Sequence, residues 1–296
     1  MIGATHDGKF HADDVFATVV LRRIFPGLQI VRTRDPKIIA ESDIAYDVGR
    51  IYDPSKLRFD HHQNGALTRD NGIIYSSLGL VWLKFGVKYC SDKNIAKSID
   101  RFLVQSIDAD DNGIKIVEEL FTDAKPMVAS QIISLLNPVE LLENAREEDY
   151  LGQFFKAVDL AEQILDRLVL KFKASEQVYK YVAKKLKSSD DKRFVVLEKS
   201  VSPTGLSDKF PDLLYVVFPG YTDGRWWIQA VETKSGTFTS RAPFPKKWAG
   251  LDGIKLEQAS GIQGAYFAHK NRHLVVTNTL DGALMVIQNM LSSLHK

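Results

Sequence analysis

Arg58-Phe59-Asp60-His61-His62-Gln63 is the stretch from which the rest of the chain is read: an apolar lead-in, then a carboxylate and two adjacent imidazoles. Imidazole nitrogens ligate divalent metals, and the chain has only seven histidines, so two in a row behind an aspartate make an unusual cluster. A His-His pair alone says little. Two further clusters give it context: Thr5-His6-Asp7-Gly8-Lys9-Phe10-His11-Ala12-Asp13-Asp14 and Asp47-Val48-Gly49, each directly after a short β-like run.

Working outward, Leu57–Phe59 reads as a strand ending on Asp60, and Asp43–Tyr46 as a strand ending on Asp47. Ile2–Thr5 is extended. Apolar residues then recur with helical spacing at Ala12, Val15, Phe16, Val19, Val20 and Ile24 until Pro26-Gly27, and a strand follows at Leu28–Val31, with a short helical piece after Pro36. Strands alternating with helices predict a parallel sheet, because each return to a parallel neighbour needs a crossover. In such sheets ligands bind beyond the carboxyl ends of the strands, where this reading places His6, Asp47 and Asp60.

Downstream, Ser76-Ser77 is expected to cap a helix running to Phe85-Gly86, with Gly86 as its stop. A second helix from Asp92 carries Ile95, Ala96, Ile99, Phe102 and Leu103 on one face and ends in Asp108-Ala109-Asp110-Asp111-Asn112-Gly113, read as a turn. Carboxylates at a helix C-terminus face an already negative dipole end, so a positive partner is expected there. From Glu140 to Ser189 the chain is helical in composition, with a long amphipathic run from Glu147 to Lys187. Strands are expected again at Phe194–Leu197, Leu214–Phe218, Trp226–Val231 and His273–Thr277, and a helix at Leu280–Leu294. The fold class is therefore α/β. The expected domains are 1–145, a helical connector over 146–190, and a smaller α/β domain over 191–296.

At 296 residues and 45% hydrophobic content the chain builds a real core. A net charge of +2 announces no nucleic-acid partner by itself. One cysteine, Cys90, excludes an internal disulfide and fits a reducing compartment. Without a basic leader, an h-region or an apolar run of about 18 residues, the chain reads as soluble and cytoplasmic, with no membrane partner.

Each cluster has a plainer reading. Asp13 and Asp14 favour a helix start, His11 is a possible cap, Asp47 suits a turn, and Asp60 suits a strand end. Together these need several coincidences at one sheet edge. The set of imidazoles and carboxylates, without thiolate, suits a pair of divalent ions such as Mn²⁺ or Mg²⁺ better than structural zinc. Water activation and in-line displacement at phosphorus follow as the default chemistry. Between Lys234 and Gly250, Arg241, Lys246 and Lys247 are interleaved with Phe238, Phe244 and Trp248, which fits a single-strand groove or a loop filling a small core. Ser260 to His269 adds Gly261 and Gly264 for close backbone approach to a ligand, and His269 at its end.

These segments, with Ser76-Ser77-Leu78-Gly79-Leu80, Asp108 to Gly113, Ser240-Arg241 and Ser260-Gly261, resemble the DHH phosphoesterase superfamily. More narrowly, nearly the whole chain is similar to the melanocyte proliferating gene family of metal-dependent hydrolases, whose eukaryotic members are described as 3′ to 5′ exoribonucleases. The resemblance implies a DHH-type parallel-sheet catalytic domain and a smaller substrate-binding domain. It puts His6, His11 and Asp13 in the first metal motif, Asp47 at the bridging position, His61 at a ligand position and Asp108 at the last ligand. It puts His62 at the scissile phosphate, able to help protonate the leaving oxygen. The expected catalytic set is Asp47, Asp60 and His62, with Arg241, Lys246, Lys247, Gly261, His269 and His62 toward substrate. Whether Asp111 also ligates is left open, as is the oligomeric state. The function expected is hydrolysis of RNA or short oligonucleotides; the alternatives are a small substrate such as pyrophosphate or a cyclic dinucleotide, and a non-catalytic RNA-binding module with a structural metal.

Overall fold

In the computed structural model, which describes residues 1–118, 120–121, 123–139, 144–237 and 239–293, the strand β1 (Ile2–Thr5) is followed by the helix α1 (Ala12–Ile24). The strands β2 (Gln29–Arg32) and β3 (Ile44–Tyr46) flank β1 in parallel, with the short helix α2 (Pro36–Glu41) between them in sequence. Strand β4 (Tyr52–Asp53) pairs antiparallel with β5 (Arg58–Phe59), which is itself parallel to β3. The order is β2-β1-β3-β5-β4, a mostly parallel sheet with one antiparallel edge strand. Thr5 pairs with Arg32 and Tyr46 with Phe59, so the chain leaves these strands at one end of the sheet.

Helix α1 is held by its apolar positions: Val15, Phe16, Val20 and Leu21 are all fully buried. Burial of such side chains contributes about 1.5–3 kcal/mol each. It packs on α3 (Ser77–Cys90), which starts at the Ser76 cap as expected but does not stop at Gly86. Gly86 is buried mid-helix because a Cβ there would lie 2.8 Å from the Trp82 ring, and Ser91, with φ of 55°, ends the helix instead. The next helix also outruns its expected end. After α4 (Lys93–Ile99) and a π-helical turn over Asp100–Val104, helix α5 (Gln105–Asp111) carries Asp108 and Asp111 on helical backbone, and the turn begins only at Asn112-Gly113. Helix α6 (Ala129–Ser134) follows.

The chain divides into two units, Met1–Phe172 and Lys173–Lys296. That division falls inside the 41-residue helix α7 (Glu147–Lys187), which occupies most of the span read as a connector. In the first unit Phe154, Ala157, Ala161 and Leu165 of α7 are fully buried in the core around α1. Residues 140–143, with which the helical reading of this region began, lie outside the described residues.

The second unit holds β6 (Phe194–Val196), β7 (Tyr215–Pro219), β8 (Trp226–Ala230), the helix α8 (Gly253–Ser260), β9 (Ala265–Ala268), β10 (Leu274–Thr277) and α9 (Leu280–Ser293). The sheet order is β6-β7-β8-β10-β9, antiparallel except for β6 with β7. Strand β9 lies in the stretch read only as a glycine-bearing ligand loop, and Leu294 lies outside the described residues. No described helix is long and apolar enough to cross a membrane.

Candidate metal centre

Past the ends of β1, β3 and β5 the chain delivers His6, Asp47 and the Asp60-His61-His62 run to one place, and the first turn of α1 brings Asp13 and Asp14 under them. His6 Nε2 lies 3.1 Å from Asp47 Oδ2, and His61 Nε2 lies 3.3 Å from Asp47 Oδ1. His61 Nε2 is also 3.2 Å from Asp111 Oδ2 and 4.0 Å from Asp13 Oδ2. Atoms bonded at about 2.1 Å to one cation, at right angles, stand about 3 Å apart. The nitrogens of His6 and His61 sit at that separation from the carboxylate without aligned hydrogen bonds, being buried and unpartnered.

Three groupings bring potential ligand atoms within 4.8 Å of one another: His6, His11 and Asp47; Asp47, His61 and His62; and His11, Asp13 and Asp111. Asp47 is common to the first two. It sits in the left-handed region at φ of 55°, a conformation that aspartate tolerates better than bulkier residues and that often marks a functional position.

Charge makes the same point. Asp13 and Asp14 are completely buried, so they are not a solvated pair at a helix dipole. Neither carboxylate oxygen of Asp13 makes a side-chain hydrogen bond, and His61 Nε2 is its nearest cationic group, at 4.0 Å. Burial, with the charges of Asp47, Asp111 and Asp14, holds the Asp13 carboxyl well above its usual range. Burial likewise lifts Asp14 to about 7 against the pull of His6 and Arg32, and Asp111 to about 6 against His61. Asp47 goes the other way, because its contacts with His6 and His61 outweigh burial and hold it well below the carboxylate range. Burial opposes charge on His6 and His61, yet Asp47, with Asp14 or Asp111, raises both. Burial and the neighbouring His6 lower His11. These buried carboxylates and imidazoles are positioned so that they could hold a metal ion, and oxygen and nitrogen donors of this kind suit divalent cations.

The supporting contacts are specific. Asp60 accepts from the backbone N–H groups of Arg50 (2.5 Å), His61 (2.7 Å) and His62 (3.1 Å), and from His62 Nδ1 (2.7 Å). Three of these four bonds fall on Oδ1, and the one from Nδ1 orients the His62 ring. That contact leads the causes that raise His62. Ser77 Oγ donates to Asp47 Oδ1 (3.1 Å). Asp108, expected as the last ligand, is placed apart from the three groupings: Oδ1 accepts from Ser76 N and Oγ, and Oδ2 from Arg69 Nε and Nη2. Asp111, one helical turn later, occupies the position beside His61. Gly79 permits the placement of Asp108, since a Cβ there would meet both of its carboxylate oxygens at 2.5 Å.

Two residues were missed by the sequence reading. Arg32, the last residue of β2, is buried against the rings of Phe10 and Phe154, 3.8 Å from Asp14, and the strand-end logic applied to the other strands picks it out. Arg69 is the positive partner expected for the acidic helix end; it spans Asp108 and Asp100 and lies over Tyr75, and nothing in its local sequence marks it.

The second unit places its expected substrate residues differently from one another. Arg241 donates to the carbonyls of Ser207, Phe210, Pro211 and Leu213, so its guanidinium ties down a loop. Of the two readings of this stretch, Phe244 and Trp248 follow the core-filling one, because both are buried in the core of that unit. Phe238 lies outside the described residues. Lys246 and Lys247 are exposed on a short 3₁₀ turn, Gly261 caps α8 with φ of 72°, and His269 accepts from Asn271 N.

A family model, MYG1_exonuc, described as uncharacterised protein family (UPF0160), matches residues 2–291. The chain is 32% identical to the MYG1 exonuclease of Homo sapiens, over 97% of this chain and 85% of that protein. It is 31% identical to a MYG1 protein of Schizosaccharomyces pombe (97% and 96%) and 32% identical to the MYG1 protein of Chlamydia trachomatis (92% and 90%).

Proposed function

The chain belongs to the MYG1_exonuc family, and from that premise and the geometry of the centre we propose that it is a metal-dependent phosphodiester hydrolase of the DHH type, acting as an exonuclease on RNA or short oligonucleotides. The observation that carries the reading is Asp13: a fully buried carboxylate with no side-chain hydrogen bond to either oxygen, among His11, His61 and Asp111. His6, His11 and Asp47 would hold one cation, and Asp13, Asp47 and Asp111, which all approach His61, would hold the other with it. Asp111 takes the ligand role in place of Asp108, and Mn²⁺ or Mg²⁺ is the cation expected. Two such ions lower the pKa of a water and neutralise phosphoryl oxygens.

The side chains divide the remaining work. Asp47, its conformation set by the β3 end and by Ser77, would serve both cation positions. His62 presents the ring edge opposite the Asp60 contact to the open depression that it lines, and there gives a proton to the leaving oxygen. Asp60 keeps that ring oriented and favours its charged form. Lys246 and Lys247, exposed in the second unit, are the candidates for holding the substrate's phosphates, a role that the placement of Arg241 does not support.

The test is release of nucleotides from end-labelled RNA by chelated protein resupplied with Mn²⁺ or Mg²⁺, beside Asp13→Asn. Metal-dependent release that the substitution abolishes, with two ions per chain by titration in the unmodified protein, is the expected result. Release that survives chelation, or one fully protein-saturated ion, removes the proposal.

A further inference from the structure

The helical stretch that delivers Asp111 buries Ile95, Ile99, Leu103 and Ile107, a series spaced by four that Asp111 continues. Four residues turn an α-helix by about 400°, so such a series drifts by about 40° at each step and would carry position 111 about 160° away from position 95. The π-helical turn over Asp100–Val104 lies in the middle of the series, and Gln105 N donates to Asp100 O, five residues back. One extra residue in a turn takes back about 100°. With it, one stretch packs Ile95 and Ile107 on the same core while Asp111 comes beside His61 and Asp110 is left exposed.

π-Turns are rare and recur at functional sites, and this one is gripped from outside the helix. Arg69 stands in a hairpin whose arms meet at Thr68 and Ile74, and its side chain is 9% exposed. Nη1 and Nη2 donate to Asp100 Oδ2 and Oδ1 (3.0 and 2.9 Å), at the first residue of the π-turn. Nε and Nη2 donate to Asp108 Oδ2 (3.0 and 2.6 Å), beyond it. Positions 100 and 108 stand about 80° apart on an α-helix, and the extra residue brings them to one side, where a single guanidinium reaches both. Gln105 Nε2 also donates to Asp100 Oδ2 (2.8 Å) and Asn71 Nδ2 to Gln105 Oε1 (3.0 Å), so the same hairpin holds the turn at two points.

We infer that Arg69 is a positioning residue for the metal centre: gripping Asp100 while anchored on Asp108, it holds the π-turn and thereby the rotation at which Asp111 meets His61. Neither of its carboxylate partners belongs to the groupings that could hold a cation. The inference rests on the ligand role given to Asp111 in the hydrolase reading, and deepens that reading by naming what places the carboxylate.

The experiment is calorimetric titration of the chelated chain with Mn²⁺, for Asp100→Ala and for Arg69→Lys. The first removes the grip and leaves the pair of Arg69 with Asp108; the second keeps a charge there, and its ammonium lacks the fork that spans two carboxylates. Each is expected to weaken one of the two Mn²⁺ at least tenfold, to leave the other within twofold and to keep a cooperative melting transition. Because the effect runs through Asp111, adding Asp100→Ala to Asp111→Asn is expected to weaken Mn²⁺ by less than a further twofold. Equal loss of both ions, loss of neither, or an undiminished further loss in Asp111→Asn overturns the positioning role and leaves the metal centre standing. Asp111→Asn that binds both Mn²⁺ as tightly as the unmodified chain overturns the ligand assignment and this inference together.

Discussion

Asp108 and Asp111 lie on one helix three residues apart, and their Asn variants are expected to move stability in opposite directions. In Asp108→Asn the amide must turn its NH₂ toward either Arg69 or the Ser76 backbone N–H, both donors, at sites now 2.6 and 3.1 Å from the carboxylate. Burial raises the Asp108 carboxyl despite these partners, but the cost lies in the donors left facing one another. Mispairing buried donors, one of them charged, costs about 2–3 kcal/mol. Asp111 is the reverse case. Burial and like charge lift it to about 6 from 3.8, so at pH 8 its ionised form opposes the metal-free fold by about 3 kcal/mol, and neutralisation removes most of that. At about 2–4 °C per kcal/mol for a unit of this size, Asp108→Asn lowers the metal-free melting temperature by about 4–12 °C, and Asp111→Asn raises it by about 4–8 °C. Calorimetry with and without Mn²⁺ reads both. The metal-induced rise persists in Asp108→Asn and largely disappears in Asp111→Asn. A metal response lost in Asp108→Asn and kept in Asp111→Asn refutes the assignment of ligands.

The metal-free protein is expected to be less stable at pH 8 than at pH 5. Asp14 and Asp111 have folded-state values raised to about 7 and about 6, so the folded state holds more protons than the unfolded one between pH 4 and 7, and stability falls through that window by on the order of 4 kcal/mol from Asp14 alone. Denaturant melts across this range check it, and saturating Mn²⁺ should reverse the trend. Gly79→Ala drives a methyl into Asp108 and is expected to destabilise by about 2–4 kcal/mol, read as a shifted urea midpoint. Asp60→Asn leaves the ligands in place but releases the His62 ring; turnover should fall about 10²-fold with metal stoichiometry unchanged and KM altered little. Trp248→Ala, in the core of the second unit, should cost about 3–5 kcal/mol of stability, as a buried rather than a base-stacking ring would.

The strand-end placement of His6, Asp47 and Asp60 was legible from the residues alone, because period and punctuation are local signals and a parallel sheet leaves its ligand side at the carboxyl ends of its strands. Helix ends were less legible. Gly86 carries the usual stop signal, but Trp82 packs over it and the helix continues, an outcome set by a neighbour rather than by propensity. The acidic run after Ile107 has the composition of a turn, yet Arg69, 39 residues before Asp108, neutralises it and lets α5 continue to Asp111. Arg241, Phe244 and Trp248 have the residue types of a nucleic-acid groove, and only burial and the carbonyl partners of Arg241 show them at work inside their own unit. The sequence by itself therefore determined that imidazoles and carboxylates gather at the carboxyl ends of the strands, His6, Asp47 and His61 among them. Only the tertiary structure decided which carboxylate is satisfied by protein and which is left without a counter-charge, because that depends on partners distant in sequence and on how completely water is excluded from each.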